Sequence, residues 1–96
     1  MSVYVDPLIN WGAGAEAPKC FRNKPSCHMY ADTLEELHKM AIAIGLKRAW
    51  FQDSLALQHY DLVTSKRRVA VLLGAIEHDK YQMVDFMRKK RKERIA

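Results

Sequence analysis

Short apolar runs in this chain alternate with longer stretches of helical periodicity. The β-branched and aromatic run at residues 2–6 predicts a first strand, which Pro7 ends. Apolar residues at helical spacing across 33–44 predict a first helix. Short, largely apolar runs at 47–51 and 75–77 then predict a second and a third strand.

Capping residues set the bounds of the helices. Asp32 has Glu35 three residues later, which is a capping-box spacing, and Ser65 or Thr64 can begin a second helix. Asp79 can begin a third. Gly45 and Gly74 follow the first two helices as C-terminal caps. The residues predicted to face the core are Leu34, Leu37, Ala41 and Ile44 of the first helix, Val69, Leu72 and Leu73 of the second, and Tyr81, Val84 and Met87 of the third.

This order of elements predicts an α/β fold. A β-α-β-α-β-α sequence with short connections favours a three-stranded parallel sheet covered by helices. Residues 8–31 then form a long loop after strand one, and residues 52–63 connect strand two to helix two. We predict a single α/β domain over 1–87 and a basic helical extension over 88–96.

Length and composition narrow the class of protein. The chain has 96 residues, of which 49% are hydrophobic, and this is enough for one globular domain with a core. It contains no apolar run near the ~20 residues that a membrane span needs. Its first residues lack the pattern of a signal peptide. We therefore expect a cytoplasmic protein that does not cross a membrane.

The basic residues are concentrated at the C-terminus. Residues 88–96 hold six Lys or Arg and one Glu, which equals the whole net charge of +5. A helix that is basic on all sides suits a polyanion, so Arg88, Lys89, Lys90, Arg91 and Lys92 are candidate nucleic-acid contacts. The alternative is a solvated, solubilising tail.

Four titratable side chains are the candidate catalytic residues. Asp6 ends strand one, His28 precedes helix one, and His59 and Asp61 precede helix two. Ligands of open parallel sheets bind beyond the C-terminal ends of the strands, so we expect these four side chains in one pocket. They could serve as general acid or base, or hold a divalent metal. A Cys/His zinc site is disfavoured, because Cys20 and Cys27 lack the usual paired spacing.

The start of helix two is the candidate phosphate site. Ser65, Lys66, Arg67 and Arg68 place a hydroxyl and three cations on its first turn. Cations there oppose the helix dipole unless a bound anion offsets them. A solvated charged face explains the same residues equally well.

A family resemblance covers most of residues 1–87. Tyr4-Val5-Asp6, Ser26-Cys27-His28 with Asp32, Leu34-Glu35-Glu36-Leu37-His38, His59-Tyr60-Asp61-Leu62 and Leu73-Gly74-Ala75 occur in order. The chain resembles an uncharacterised domain-of-unknown-function family of short phage and bacterial proteins. The resemblance implies no established activity, cofactor or partner.

Two functional hypotheses follow. In the first, the domain binds a phosphate-containing ligand, a nucleotide or nucleic acid, at one edge of its sheet and hydrolyses a phosphoester, with a divalent metal as an optional cofactor. In the second, it is a non-catalytic interaction module that binds nucleic acid or a host protein. Phosphate binding is common to the first hypothesis and to the nucleic-acid form of the second.

Overall fold

The computed structural model describes residues 2–10 and 25–95, which form a mixed β-sheet with three helices. The strands are β1 (Val3–Val5), β2 (Ile9–Asn10), β3 (Pro25–Ala31), β4 (Gln52–Asp53), β5 (Gln58–Val63) and β6 (Ile76–Glu77). The helices are α1 (Leu34–Ala43), α2 (Thr64–Leu72) and α3 (Lys80–Ile95). Across the described residues, no helix is long and apolar enough to cross a membrane.

The sheet is mostly antiparallel. Its strand order is β4-β5-β3-β1-β6, and β2 pairs with the start of β3. Among the described strands, β1 and β6 are parallel to each other, whereas the remaining pairs are antiparallel. The α/β class is confirmed, but the predicted three-stranded parallel sheet is wrong. β1 and β3 are antiparallel neighbours, whereas the two strands of a β-α-β unit would be parallel.

Three segments differ from the predicted elements. The predicted second strand at 47–51 is instead a 3-10 turn over Arg48–Trp50, in which Trp50 is 51% exposed. The predicted loop at 8–31 contains β2 and the central strand β3, and its residues 11–24 lie outside the described part of the chain. The predicted connection at 52–63 contains β4 and β5.

One face of the sheet carries the hydrophobic core. Val5, Met29 and Leu62 are fully buried there, on β1, β3 and β5. α1 packs against this face through Leu37 and Ala41, and we call it the covered face. Burial of side chains of this size contributes about 1.5–3 kcal/mol each, so this layer is a major source of the stability of the domain.

The predicted inward residues of the helices are only partly correct. In α1, Leu37, Ala41 and Ile44 are buried as predicted, whereas Leu34 is 41% exposed. In α2 the buried residue is Ala70, and the three residues predicted to face the core are exposed, namely Val69, Leu72 and Leu73. In α3, Tyr81 is 80% exposed, Val84 and Met87 are partly buried, and the Phe86 ring contacts Tyr4 and Tyr30 of the sheet. Ala70 is the α2 residue in the core cluster, and Val71 packs against that cluster partly buried.

The helix ends are close to the prediction. Gly45 and Gly74 have φ of 84° and 111°, so each ends its helix in the left-handed conformation that favours glycine. Asp79 caps α3, and its carboxylate accepts from the Gln82 N–H at 2.8 Å. The cap of α1 is Thr33 rather than Asp32: its Oγ1 accepts from the Glu36 N–H at 3.2 Å.

Candidate functional site

The second face of the sheet carries a row of polar side chains across four neighbouring strands. His28 on β3 lies directly opposite Asp61 on β5, so these two side chains share a face. His59 is on the same face because it is two residues from Asp61 along the strand. Asp6 follows β1, and Gln52 of β4 lies opposite His59. We call Asp6, His28, Asp61, His59 and Gln52 the polar row.

Asp6 fixes the orientation of His28. The Asp6 carboxylate is buried, and its two oxygens accept from the backbone N–H of His28 at 2.6 Å and from His28 Nδ1 at 2.8 Å. Because the carboxylate accepts, Nδ1 carries the proton and Nε2 points away from Asp6. The hydrogen bond to Asp6 raises the pKa of His28 although burial acts in the opposite direction.

His59 is fixed in the same tautomer by the backbone. Its Nδ1 lies 2.7 Å from the carbonyl oxygen of Leu57, which can only accept, so Nδ1 is protonated and Nε2 is directed elsewhere. That Nε2 lies 3.5 Å from Asp61 Oδ1. Gln52 donates to the other oxygen of Asp61. Burial acts to raise the pKa of Asp61, but hydrogen bonding and charge from His59, together with the Gln52 hydrogen bond, lower it.

Three ligand atoms converge in the middle of the polar row. Nε2 of His28, Nε2 of His59 and a carboxylate oxygen of Asp61 all lie within 4.8 Å of one another. The His28 and His59 rings meet edge to face with their centroids 4.8 Å apart. The three side chains are 27%, 12% and 28% exposed, so they are sheltered but reachable from solvent. Two imidazoles and a carboxylate can transfer protons or bind a transition metal.

The structure therefore brings the four candidate catalytic residues together, but for a different reason from the predicted one. The sequence placed them at the ends of parallel strands. Instead, β3 and β5 carry His28, His59 and Asp61 side by side as antiparallel neighbours, and Asp6 joins from the end of β1. The catalytic role of these residues stays a prediction.

The candidate phosphate residues at the start of α2 do not act as one group. Lys66 Nζ donates to the carbonyl oxygen of Ile44 at 2.7 Å, which caps the C-terminus of α1. Arg67 donates to the Asp6 carbonyl oxygen at 3.0 Å and to Glu77 at 2.9 Å. Lys66 and Arg67 thus connect structural elements.

Ser65 and Arg68 remain on the surface at the start of α2. Both are exposed, on the first turns of α2. Neither Ser65 nor Thr64 caps this helix, since both lie inside it and its N-cap is Val63. The N-cap residue Val63 makes no side-chain hydrogen bond to the first N–H groups of α2.

The basic end of the chain is the last part of α3. Arg88, Lys89, Arg91 and Lys92 are exposed. Lys90 differs, because its ammonium group donates to the carbonyl oxygen of Asp32 and lies 5.7 Å from the centre of the Phe86 ring. Lys90 therefore anchors α3 to the body of the domain.

The remaining histidines and the described cysteine have structural partners. His38 Nδ1 bonds the hydroxyl of buried Tyr60 at 2.8 Å, and His78 Nδ1 bonds the hydroxyl of buried Tyr30 at 2.9 Å. Burial raises the pKa of Cys27 to about 12, so its thiol is unreactive. Cys20 lies outside the described residues.

Sequence reasoning missed two members of the site. Gln52 was assigned to a connection, although it lies on β4 and holds Asp61. The Leu57 carbonyl that fixes His59 is a backbone group, and no side-chain pattern identifies it. The alternation of polar and apolar residues from His59 to Leu62 was the available signal for a strand at this position.

Comparison with known proteins identifies the family. The model of the family described as "Protein of unknown function (DUF4031)" matches residues 3–90. No curated protein and no solved structure matches the chain. Because the match spans nearly the whole chain and includes the complete polar row, the protein belongs to the DUF4031 family.

Proposed function

We propose that this protein binds a phosphate-containing ligand at the polar row and hydrolyses its ester bond. The observation that supports this proposal is the convergence of two imidazole Nε2 atoms on one oxygen of Asp61. Each imidazole has its Nδ1 proton held by an acceptor, so both Nε2 atoms are available for chemistry at the same point. Hydrolysis needs an activated water molecule there and a means of stabilising the charge on the phosphate.

The polar row has the features required to activate water. His59 Nε2 and Asp61 Oδ1 are 3.5 Å apart, so one water molecule can bond to both. His28 Nε2, at 4.0 Å from the same oxygen, can bond a second reacting atom. Asp6 and the Leu57 carbonyl keep the rings from rotating, which preserves this geometry during the reaction. General acid–base groups placed in this way accelerate reactions by about 10²–10⁴-fold.

The start of α2 is the proposed phosphate-binding element. Thr64, its first residue, is three residues beyond Asp61 in the sequence. N–H groups at a helix N-terminus attract anions, and the exposed Arg68 adds a positive charge on the first turns of α2. The described contacts of Lys66 and Arg67 are structural, which leaves Ser65 and Arg68 as the proposed phosphate contacts.

A second candidate function is a non-catalytic module that binds nucleic acid. The exposed cations on the last turns of α3 favour this function, because cations around a helix can meet phosphates from several sides. In this case the polar row would bind a ligand without cleaving it.

A hydrolysis assay separates the two functions. The purified full chain would be incubated with monoesters, diesters, nucleotides and short oligonucleotides, with added divalent ions and separately with a chelator. We expect turnover of at least one class of phosphate ester. His59→Gln and Asp61→Asn should reduce the rate at least about 100-fold, as expected for loss of a group that acts on the reacting water.

Asp53→Asn is the matched control. This exposed carboxylate is on β4 beside the polar row and bonds Gln58, so its loss should leave the rate unchanged. Equal rates in all the variants would identify a contaminating phosphatase. No hydrolysis of any ester, together with retained oligonucleotide binding, would favour the non-catalytic module.

A further inference from the structure

We infer that His28, His59 and Asp61 form a binding site for one divalent transition-metal ion. The role of this ion as a cofactor of hydrolysis rests on the proposed function. The existence of the metal-binding site rests on the arrangement of the side chains alone. The three donor atoms are the two Nε2 atoms and one carboxylate oxygen of Asp61, all within 4.8 Å of one another.

The hydrogen bonds around the histidines are those that metal ligands require. A histidine that binds a metal through Nε2 almost always donates its Nδ1 proton to a carboxylate or a backbone carbonyl. His28 donates to the Asp6 carboxylate at 2.8 Å, and His59 donates to the Leu57 carbonyl at 2.7 Å. Both kinds of support therefore occur in one site, and both direct Nε2 towards Asp61.

The third ligand is oriented as well. Gln52 donates to Oδ2 of Asp61, and this leaves Oδ1 facing the two imidazoles. A carboxylate held by one oxygen can bind an ion through the other. Gln52 is thus a positioning residue for Asp61, on the opposite side of the polar row from Asp6.

The distances fit an ion after a small inward movement. Ligand atoms about 2.1 Å from a metal are roughly 3.0–3.4 Å apart in octahedral or tetrahedral geometry. The two measured separations from Asp61 Oδ1 are 3.5 Å to His59 and 4.0 Å to His28. The donor atoms of the two histidines lie within 4.8 Å of each other, so inward side-chain shifts of about 1 Å bring the three atoms to these separations.

The donor set selects the class of ion. Two imidazoles and one carboxylate suit Zn²⁺, Fe²⁺, Co²⁺ or Mn²⁺, whereas Mg²⁺ and Ca²⁺ prefer oxygen ligands alone. Three protein ligands leave at least one coordination position for water or a phosphate oxygen. A metal-bound water is a far stronger nucleophile at neutral pH than free water, so the ion would supply what the proposed hydrolysis needs.

The competing explanation is an ion-pair network without a metal. A protonated histidine beside Asp61 would also bring these groups together, and its positive charge would take the place of the ion. The two explanations differ in one measurable respect, because a simple ion pair does not bind a metal with defined stoichiometry.

Metal titration of the tag-free, chelator-treated full chain tests the inference. Calorimetry with Zn²⁺ and Mn²⁺ should show one ion per chain, with Zn²⁺ tighter than Mn²⁺ and Mg²⁺ at least about 100-fold weaker than Zn²⁺. The Co²⁺ form should show visible absorption from nitrogen and oxygen ligands without thiolate charge-transfer bands, which excludes binding by the cysteines. Zn²⁺ should also raise the melting temperature, because it binds the folded chain.

Single substitutions locate the site. His28→Gln, His59→Gln and Asp61→Asn should each weaken Zn²⁺ binding at least about 100-fold and remove the rise in melting temperature. His78→Asn and Asp53→Asn are the matched controls for a histidine and a carboxylate outside the site, and they should bind as the parent does. Circular dichroism of the metal-free variants verifies that each one is folded.

The outcomes separate this inference from the proposed hydrolysis. Metal binding that depends on all three residues supports the site, whether or not any ester is cleaved. Absence of saturable binding at millimolar ion overturns it, and so does binding that survives all three substitutions. Hydrolysis that persists in a chelator would leave the proposed function standing without the metal.

Discussion

The second face of the sheet has two ends that use histidine in opposite ways. At one end, His28 lies in the polar row and donates to Asp6 at 2.8 Å. At the other, His78 stacks on Tyr4 with a centroid distance of 4.3 Å and bonds the hydroxyl of Tyr30. We call Tyr4, Tyr30, His78 and Phe86 the aromatic end. His28 and Tyr30 are only two residues apart on β3, so one strand contributes to both ends.

The partner of each imidazole determines its chemistry. The pKa of His28 is raised by its hydrogen bond to Asp6, although burial opposes this. The pKa of His78 is lowered by burial, and the nearby charges of Asp79 and Asp32 offset this effect only in part. A carboxylate in direct contact therefore keeps a partly buried histidine chargeable, whereas a tyrosine hydroxyl leaves it neutral and packed.

The largest loss of stability is expected at Asp6. Asp6→Ala removes a buried carboxylate that accepts two hydrogen bonds from His28, one of them from its backbone N–H. Leaving that N–H unpaired should lower the free energy of unfolding by about 2–4 kcal/mol. Urea denaturation measures this loss.

Asp6→Asn separates the two hydrogen bonds that the Asp6 carboxylate accepts from His28. The amide oxygen can still accept from the His28 N–H, so the loss of stability should be about half as large. Its NH₂ group cannot accept from Nδ1, so His28 should change tautomer and metal binding should weaken at least about tenfold. A loss below about 1 kcal/mol for Asp6→Ala would mean that Asp6 is not the main support of His28.

Tyrosine hydroxyls at the aromatic end and on the covered face should contribute less to the free energy of unfolding than the Asp6 carboxylate does. Tyr30→Phe removes the hydroxyl that bonds His78, and Tyr60→Phe removes the one that bonds His38. Each should cost about 1 kcal/mol, since the ring volume is kept and one hydrogen bond is lost. Thermal melts of the two variants should agree closely, and a much larger loss in only one would show that its hydroxyl has a further role.

Local features of the fold could be read from the sequence, but strand pairing could not. The glycines that end α1 and α2 and the Asp79 cap depend on neighbours within a few residues. β3 gave no alternating pattern, because Cys27 and Tyr30 are buried on opposite faces of a central strand. Its pairing with β5 joins residues more than thirty positions apart, and nothing local specifies that contact.

The candidate site shows the same division. The histidines and aspartates could be chosen from the sequence because their side chains carry the chemistry. Their relative positions could not be derived, because antiparallel pairing of β3 with β5 brings these residues together, and not the ends of parallel strands. The contribution of Gln52 depends on the register between β4 and β5, which the sequence does not display.

The two ends should also respond to pH with opposite signs. The pKa of His78 in the folded state is below its ordinary 6.5, so the stability that its neutral form contributes is full above 6.5 and is lost as pH falls through the folded value. The pKa of His28 is above 6.5, so its contribution is full below 6.5 and is lost as pH rises through the folded value.

Denaturation of metal-free protein between about pH 5 and 8 tests these signs. Relative to the parent chain, His78→Asn should lose less stability on acidification, and His28→Asn should lose less on alkalinisation. The same direction of change in both variants would mean that the difference between the two ends does not come from these histidines.

The smallest effect on stability is expected at the end of α3, beyond the aromatic end. Lys90 is tied to the Asp32 carbonyl and lies over Phe86, so a variant ending at Lys90 keeps this anchor and should change the free energy of unfolding by less than about 0.5 kcal/mol. Lys90→Ala in the full chain should cost somewhat more, about 0.5–1 kcal/mol, because it removes that contact. If the exposed cations bind nucleic acid, affinity for oligonucleotides should fall steeply with salt, and the shortened chain, which lacks Arg91, Lys92 and Arg94, should bind more weakly and with a smaller salt dependence. Equal affinity of the two chains at low salt would mean that the removed residues do not bind nucleic acid. A stability loss above about 1 kcal/mol in the shortened chain would show that the last turns of α3 pack on the domain.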